Sequence, residues 1–302
     1  MLTPFSTHYI HDNDIKKLEL KANEIRQSII EMLVSAGSGH SAGPLGMADI
    51  FTALYFYLLK HDPKDPMMPD RDRLILSNGH IVPVRYATMA HAGYFPIEEL
   101  LTLRKFGSRL QGHPERTRLP GLETTSGPLG SGLSQACGIA YGAKMDGRDF
   151  RTYCLMSDGE QEAGNTWEGA MFAGKNKLAN LTAIIDRNNI QIDGFVEDIM
   201  PLEPLADKYK AFGWDVLEIN GHDFHEITNA VEQAKANTIK PTCIIARTIP
   251  GKGVNYMEYD YRWHGDPPGK RETERTPPKK EQAKEALKQL RTLHGKIISE
   301  HQ

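Results

Sequence analysis

Two short stretches carry oxygen ligands at a spacing that could serve a metal and a phosphate together. They are Ser157-Asp158-Gly159 and Asp186-Arg187-Asn188-Asn189-Ile190, with 30 residues from Asp158 to Asn188. A carboxylate, an amide oxygen and a backbone carbonyl suit Mg2+, a hard ion commonly held by one or two protein oxygens while substrate phosphates complete its shell. Gly159 would let the backbone approach a phosphate closely and donate its N–H. Taken singly, Asp158-Gly159 and Asn188-Asn189 are frequent turn formers. The interval gives them joint value, because one helix and one strand would return both to the same rim of a parallel sheet.

A second set of chemical groups is a series of histidines in glycine-rich segments: Gly39-His40, Gly79-His80, Gly112-His113, Gly221-His222 and Trp263-His264-Gly265. Neutral imidazoles polarise hydroxyls and carbonyls, shuttle protons near neutral pH and hydrogen-bond phosphate. Any one of them alone reads as a structural residue. His222 and His225 lack a third ligand nearby, so a zinc site is not expected. No Gly-x-x-x-x-Gly-Lys-Ser/Thr loop occurs, and Gly127-Pro128-Leu129-Gly130-Ser131-Gly132 has neither the spacing nor the preceding strand of a dinucleotide fingerprint.

The elements that must position these groups follow from periodicity. Asp12, Asn13 and Asp14 offer helix caps, and Ile15, Leu18, Ala22, Ile25, Ile29 and Leu33 then recur at helical spacing until Gly37. A second helical stretch is expected after Pro44, carrying Leu45, Ala48, Phe51, Leu54 and Leu58, which leaves residues 39–43 in the connection. β-rich runs at 73–77, 152–157, 181–186, 214–219 and 242–249 alternate with helical patterns, as parallel βαβ units do. Each run is followed by polar residues: Asn78-Gly79-His80, Asp158-Gly159-Glu160, Asn188-Asn189, Asn220-Gly221-His222 and Pro250-Gly251-Lys252-Gly253. Open α/β sheets bind ligands at that carboxyl rim. The expected architecture is a doubly wound, mostly parallel α/β sheet with helices on both faces. Residues 265–280, with four prolines and many charges, read as an extended arm, and a last helix is expected from Lys279 to Glu300 with Ala286, Leu290, Leu293 and Ile297 as its apolar stripe.

Composition excludes several classes. The 302 residues are 39% hydrophobic and 25% charged with a net charge of -3, so there is no basic footprint for nucleic acid or an anionic membrane surface. The three cysteines, Cys137, Cys154 and Cys243, stand apart among apolar neighbours and read as core residues. No apolar run has the length of a membrane helix, and the first residues lack the pattern of a secretion signal, so a cytoplasmic protein is expected.

The paired stretches resemble the thiamine-diphosphate motif, Gly-Asp-Gly followed about 30 residues later by Asn-Asn. Ser38-Gly39-His40 through Gly43-Pro44-Leu45-Gly46, Ser77-Asn78-Gly79-His80, Gly112-His113-Pro114-Glu115 and Thr125 through Gly130 occur in the order found in transketolases, and the chain resembles that family. The resemblance covers about residues 1–265, the diphosphate-binding domain, with the arm and last helix at 266–302. It implies thiamine diphosphate and Mg2+ as cofactors, with Ca2+ or Mn2+ as substitutes. Carried over, Asp158, Asn188 and the carbonyl of Ile190 are the metal ligands. Gly159 and Asn188 contact the diphosphate, and Gly127, Pro128 and Leu129 contact the aminopyrimidine. His40 and His113 face the sugar and the two-carbon unit, and His80 and His264 lie near the diphosphate and substrate. His222 has no such counterpart and is expected on a surface loop.

The family's remaining domains are not represented in these 302 residues. The resemblance therefore implies the N-terminal subunit of a split transketolase, active with a separate C-terminal subunit, as a heterotetramer, on ketose and aldose sugars or their phosphates. The α subunit of a two-oxo acid dehydrogenase, a deoxyxylulose-phosphate synthase fragment and a non-catalytic cofactor-binding homologue are the alternatives. The sequence departs from the family pattern at Ser157, in place of the first motif glycine, and at Ala163, where a glutamate of a carboxylate network between paired sites is usual. Glu168 keeps that network's next position.

Overall fold

The protein is described here by a computed structural model covering residues 10–292. The N-terminal segment and the expected continuation of the last helix through Leu293 and Ile297 to Glu300 lie outside the described residues. Strands β1 (Arg73–Leu76), β2 (Thr152–Ser157), β3 (Leu181–Arg187), β6 (Asp215–Asn220) and β7 (Thr242–Arg247) form a five-stranded sheet in the order β1-β2-β3-β7-β6, with every pairing parallel. A small antiparallel hairpin of β4 (Ile190–Gln191) and β5 (Gly194–Phe195) follows β3. The five β-rich runs of the sequence are these five strands, with ends shifted by a residue or two.

Alternate residues along the strands feed two separate cores, as the pleat requires. Leu74, Leu76, Tyr153, Leu155, Ile184 and Ile244 pack with α1 (Asp12–Ala36), α3 (Ala48–Ala53), α4 (Val82–His91) and α9 (Phe224–Ala236) on one face. Ile75, Cys154, Met156, Ala183, Ile185 and Ile245 pack with α5 (Ser131–Met145), α6 (Gly164–Lys175) and α8 (Leu205–Ala211) on the other. All three cysteines are buried and free, in the second core. Burial on both faces explains why these strands read as nearly continuous apolar runs, each large side chain contributing about 1.5–3 kcal/mol.

Helix α1 buries the predicted stripe of Leu18, Ala22, Ile25, Ile29 and Leu33. Its N-cap is His11, without a side-chain bond, rather than one of the acids, because the helix already begins at Asp12. Asp12 and Asp14 instead occupy the first turn, where they favour the positive end of the helix dipole. Gly37 ends it in the left-handed region (φ 63°), its N–H returning to Leu33 and Val34. The next helix, α2 (Ala42–Gly46), starts before Pro44 rather than after it. Pro44 is tolerated because the first turn needs no N–H from it. Residues 54–58 then run as a π-helical turn out of α3.

The short helix α7 (Val196–Ile199) and α8 connect β3 to β6. From 265 to 278 the chain forms neither helix nor strand, and it leads into α10 (Lys279–Thr292). The buried Gln282 helps tie this arm down: it donates to the carbonyls of Arg271 (2.6 Å) and Pro277 (3.2 Å) and accepts from the N–H of Gly269 (2.7 Å). Ala286 and Leu290 of α10 join the core that contains α1. No helix among the described residues is long and apolar enough to cross a membrane.

Candidate functional site at the carboxyl rim of the sheet

Adjacent parallel strands bring the two motif stretches together. Ser157 is in register with Asp186, and the N–H of Asp158 donates to the carbonyl of Asp186 (3.1 Å). The fully buried Asp158 accepts from Asn189 N–H (2.6 Å), from its neighbour Gly159 N–H (2.8 Å) and from Arg187 (3.1 Å). Asn188 accepts from Ile190 N–H (2.9 Å) and gives its amide protons to Asp186 (2.8 Å), so its oxygen is turned toward Ile190. Ser157 takes the place of the motif glycine without strain. It is the last residue of an ordinary strand, and its carbonyl accepts from Gln161 (2.8 Å).

Burial pushes the carboxyl of Asp158 up to about 6, against Arg187 and the two backbone amides. Burial also pushes Asp186 up to about 8, opposed by the bond from Thr248 and reinforced by the neighbouring Asp158. Arg187 pairs with the buried Asp158 and also serves Glu197 and Glu203. Three carboxylates share that one guanidinium, a local excess of negative charge of the kind a divalent cation relieves. Among the described residues no three His, Cys, Asp or Glu side chains gather as metal ligands. A cation here would draw on the Asp158 carboxylate, the Asn188 amide oxygen and the Ile190 carbonyl, with phosphate oxygens completing the shell, a donor set that fits Mg2+.

Three of the predicted histidines form a cluster. The rings of His40 and His80 are 4.8 Å apart, His80 and His264 5.1 Å, and His40 and His264 5.3 Å. Burial is the main reason all three are held neutral: His40 falls to about 3, His264 to about 4 and His80 well below the usual value, with the other imidazoles adding to the effect on His40 and His80. Nδ1 of His40 and Nδ1 of His264 are buried and have no protein partner, so each is available to a ligand. His113 is more exposed and lies against Gly127, where a β-carbon would be 3.6 Å from its ring. Gly127 has φ 148°, a conformation L side chains rarely adopt. Leu129 is 42% exposed, an apolar side chain left open beside this turn. The histidine and carboxylate halves meet at α2, where a β-carbon on Gly43 would lie 4.0 Å from Asp186.

Two buried side chains that brace the rim were not assigned from the sequence. Glu160, fully buried, accepts from the hydroxyl of Ser77, from Gly130 N–H and from Ser157 N–H (3.2 Å). Since Ser77 in turn accepts from Gly132 N–H (3.0 Å), one carboxylate ties the ends of β1 and β2 to the 127–130 turn. Its place directly after a strand and a glycine was the available signal. His222 is not on a surface loop: its side chain is 6% exposed and is held by Asp49 (2.7 Å) and by the N–H of Ile249 (2.7 Å). At the family departure, Ala163 caps α6, while Glu162 is exposed and accepts from Gln191 (3.3 Å).

A doubly wound α/β domain with a carboxylate–amide pair and an imidazole cluster on one rim defines a cofactor-binding domain. The comparisons give its family. The model for the transketolase thiamine-diphosphate-binding domain matches residues 18–285. The chain is 46% identical over 241 residues to a 6-deoxy-6-sulfo-D-fructose transketolase subunit of Clostridium sp. (strain MSTE9), covering 80% of this chain and 88% of that one. It is 43% identical over 250 residues to an apulose-4-phosphate transketolase subunit of Phocaeicola vulgatus, covering 83% and 89%. Among solved structures, transketolase from Campylobacter jejuni superposes with a TM-score of 0.81 at 38% identity, over 90% of this chain but 42% of that one. The chain belongs to the transketolase family and corresponds to its N-terminal, thiamine-diphosphate-binding part. It spans less than half the length of the full transketolase it superposes on.

Proposed function

We propose that this chain is the N-terminal subunit of a split transketolase, which binds thiamine diphosphate with Mg2+ and works with a C-terminal subunit. Together, as a heterotetramer, they would transfer a two-carbon ketol unit from a ketose or its phosphate to an aldose or its phosphate. The observation that carries this reading is the meeting of Asp158 with the Asn188–Ile190 segment at the ends of β2 and β3, on the same rim as the His40, His80 and His264 cluster. Two relatives of similar length are themselves named as transketolase subunits, which supports a partner chain here. The sugars in their names carry a sulfo or a phosphate group, which supports an anionic sugar as substrate.

When bound, thiamine diphosphate supplies the nucleophilic carbon that opens the ketose carbon–carbon bond. In this reading Asp158, Asn188 and the Ile190 carbonyl hold Mg2+, and Gly159 and Asn188 hold the diphosphate. The 127–129 turn lies against the aminopyrimidine. His80 and His264 orient the diphosphate end and the substrate, while His40 and His113 hydrogen-bond the sugar hydroxyls and the developing oxyanion. Held neutral by burial, the clustered imidazoles can each donate from one nitrogen and accept at the other. Preorganised donors of this kind often supply the largest protein share of rate enhancement. Calorimetry of thiamine diphosphate binding to this chain together with its C-terminal partner, with and without Mg2+, tests the reading. Tight binding that needs Mg2+ supports it, and equal binding without the metal contradicts it.

A further inference from the structure

A ring of hydrogen bonds encloses α2. Arg26 of α1, itself buried, donates through Nε to the carbonyl of Leu45 (3.0 Å) and through a terminal nitrogen to Asp49 of α3. The same Asp49 oxygen lies 2.7 Å from Nδ1 of His222, and Nε2 of His222 lies 2.7 Å from the backbone nitrogen of Ile249. A backbone N–H can only donate, so Nε2 is the acceptor and Nδ1 carries the proton given to Asp49, a tautomer assigned by its partners. Two residues past Ile249, Gly251 N–H donates to the carbonyl of Ala42, the first residue of α2 (2.9 Å). The carbonyl of Ile249 presses on the other end, where a β-carbon on Gly46 would be 2.8 Å away. Both ends of α2 are therefore fixed by the segment that His222 holds.

Immediately before α2, Ser41 donates to the carbonyls of Trp263 (3.2 Å) and Asp266 (2.6 Å), which flank His264, and His40 precedes Ser41. We infer that His222 is a positioning residue: by accepting from Ile249 it fixes α2 and so sets His40 against His264 and His80. It touches none of the ligand-facing groups itself. Its relevance to sugar transfer rests on the proposed function, but the geometric coupling does not.

The test is histidine ring NMR on the full chain. In His222→Ala the Cε1–H signals of His40 and His264 are expected to shift. His222→Gln, whose side-chain oxygen can still accept from Ile249, is expected to restore the wild-type positions. His222→Asn, which keeps only the Asp49 side, is not, so this pair decides the matter even if His222→Ala fails to fold. Unmoved His40 and His264 signals in a folded His222→Ala overturn the inference, as does restoration by His222→Asn equal to that by His222→Gln. Failure of this chain together with its C-terminal partner to bind thiamine diphosphate would instead sink the proposed function and leave the NMR result standing.

Discussion

Asp158 carries two duties, closing the turn after β2 and facing the cation, and its replacement separates them. Asp158→Ala removes the only carboxylate of the proposed ligand set and is expected to lower Mg2+-dependent thiamine diphosphate affinity at least about 100-fold, with the circular dichroism spectrum retained. Calorimetry checks it. Glu160→Gln puts an N–H2 group among three donors, Ser77, Gly130 and Ser157, that all need an acceptor. A loss of about 2–3 kcal/mol is expected in urea unfolding, since a buried donor left without its charged acceptor is costly. Asp158, Asn188 and Ile190 were legible in the sequence because each follows a recognisable strand at a set interval. The structural use of His222 was not, because its partners, Ile249 and Asp49, are 27 and 173 residues away in sequence. Glu160 was seen only as strand-end polarity, since its partners on the 127–130 turn come together only in the fold.

At the scale of elements, the strands were legible because two-sided burial makes them apolar throughout, and the helix α1 because its stripe is long and its glycine stop is in place. The start of α2 was misplaced because a proline normally marks a boundary, while here it falls within a first turn that can do without its N–H. Close packing between elements was illegible, since it depends on glycines whose neighbours are distant in sequence. Gly174 of α6 is one: a β-carbon there would fall on the carbonyl of Phe212, which is backbone and cannot swing aside. Gly174→Ala is expected to cost about 1–3 kcal/mol, read as a lowered urea midpoint with an unchanged slope. Gly142 on the exposed side of α5 has nothing within 4 Å of a β-carbon. Gly142→Ala is therefore expected to be neutral to stabilising by about 1 kcal/mol in the same measurement.

For the molecule as a whole, buried neutral histidines make stability depend on pH. His222 is lowered from its usual 6.5 to about 4, chiefly by burial, with the bond to Asp49 opposing. Below pH 6.5 the unfolded chain therefore takes up a proton that the folded chain refuses. The stability this residue provides is complete above 6.5 and is lost as the pH falls toward 4. Asp158 and Asp186, raised by burial, pull the other way, so the histidine is isolated by comparison with His222→Gln. The stability advantage of wild type over that variant is expected to shrink by up to about 3 kcal/mol between pH 7 and pH 4, followed by urea unfolding. A constant difference would show that His222 does not titrate as its burial implies.

The parallel sheet and its single working rim were legible in the sequence at this scale, because alternation of strand and helix fixes where the polar loops emerge. The partner was legible only through resemblance, because this chain holds the diphosphate rim and the proposed second half of the site is on another chain. Two-carbon transfer from a ketose phosphate or ketose sulfonate to an aldose, assayed with thiamine diphosphate and Mg2+, tests this most directly. The purified chain by itself is expected to show no turnover, its C-terminal partner by itself none, and the two together a rate abolished by Asp158→Ala. Turnover by this chain without a partner, or a combined rate indifferent to Asp158→Ala, would contradict the account.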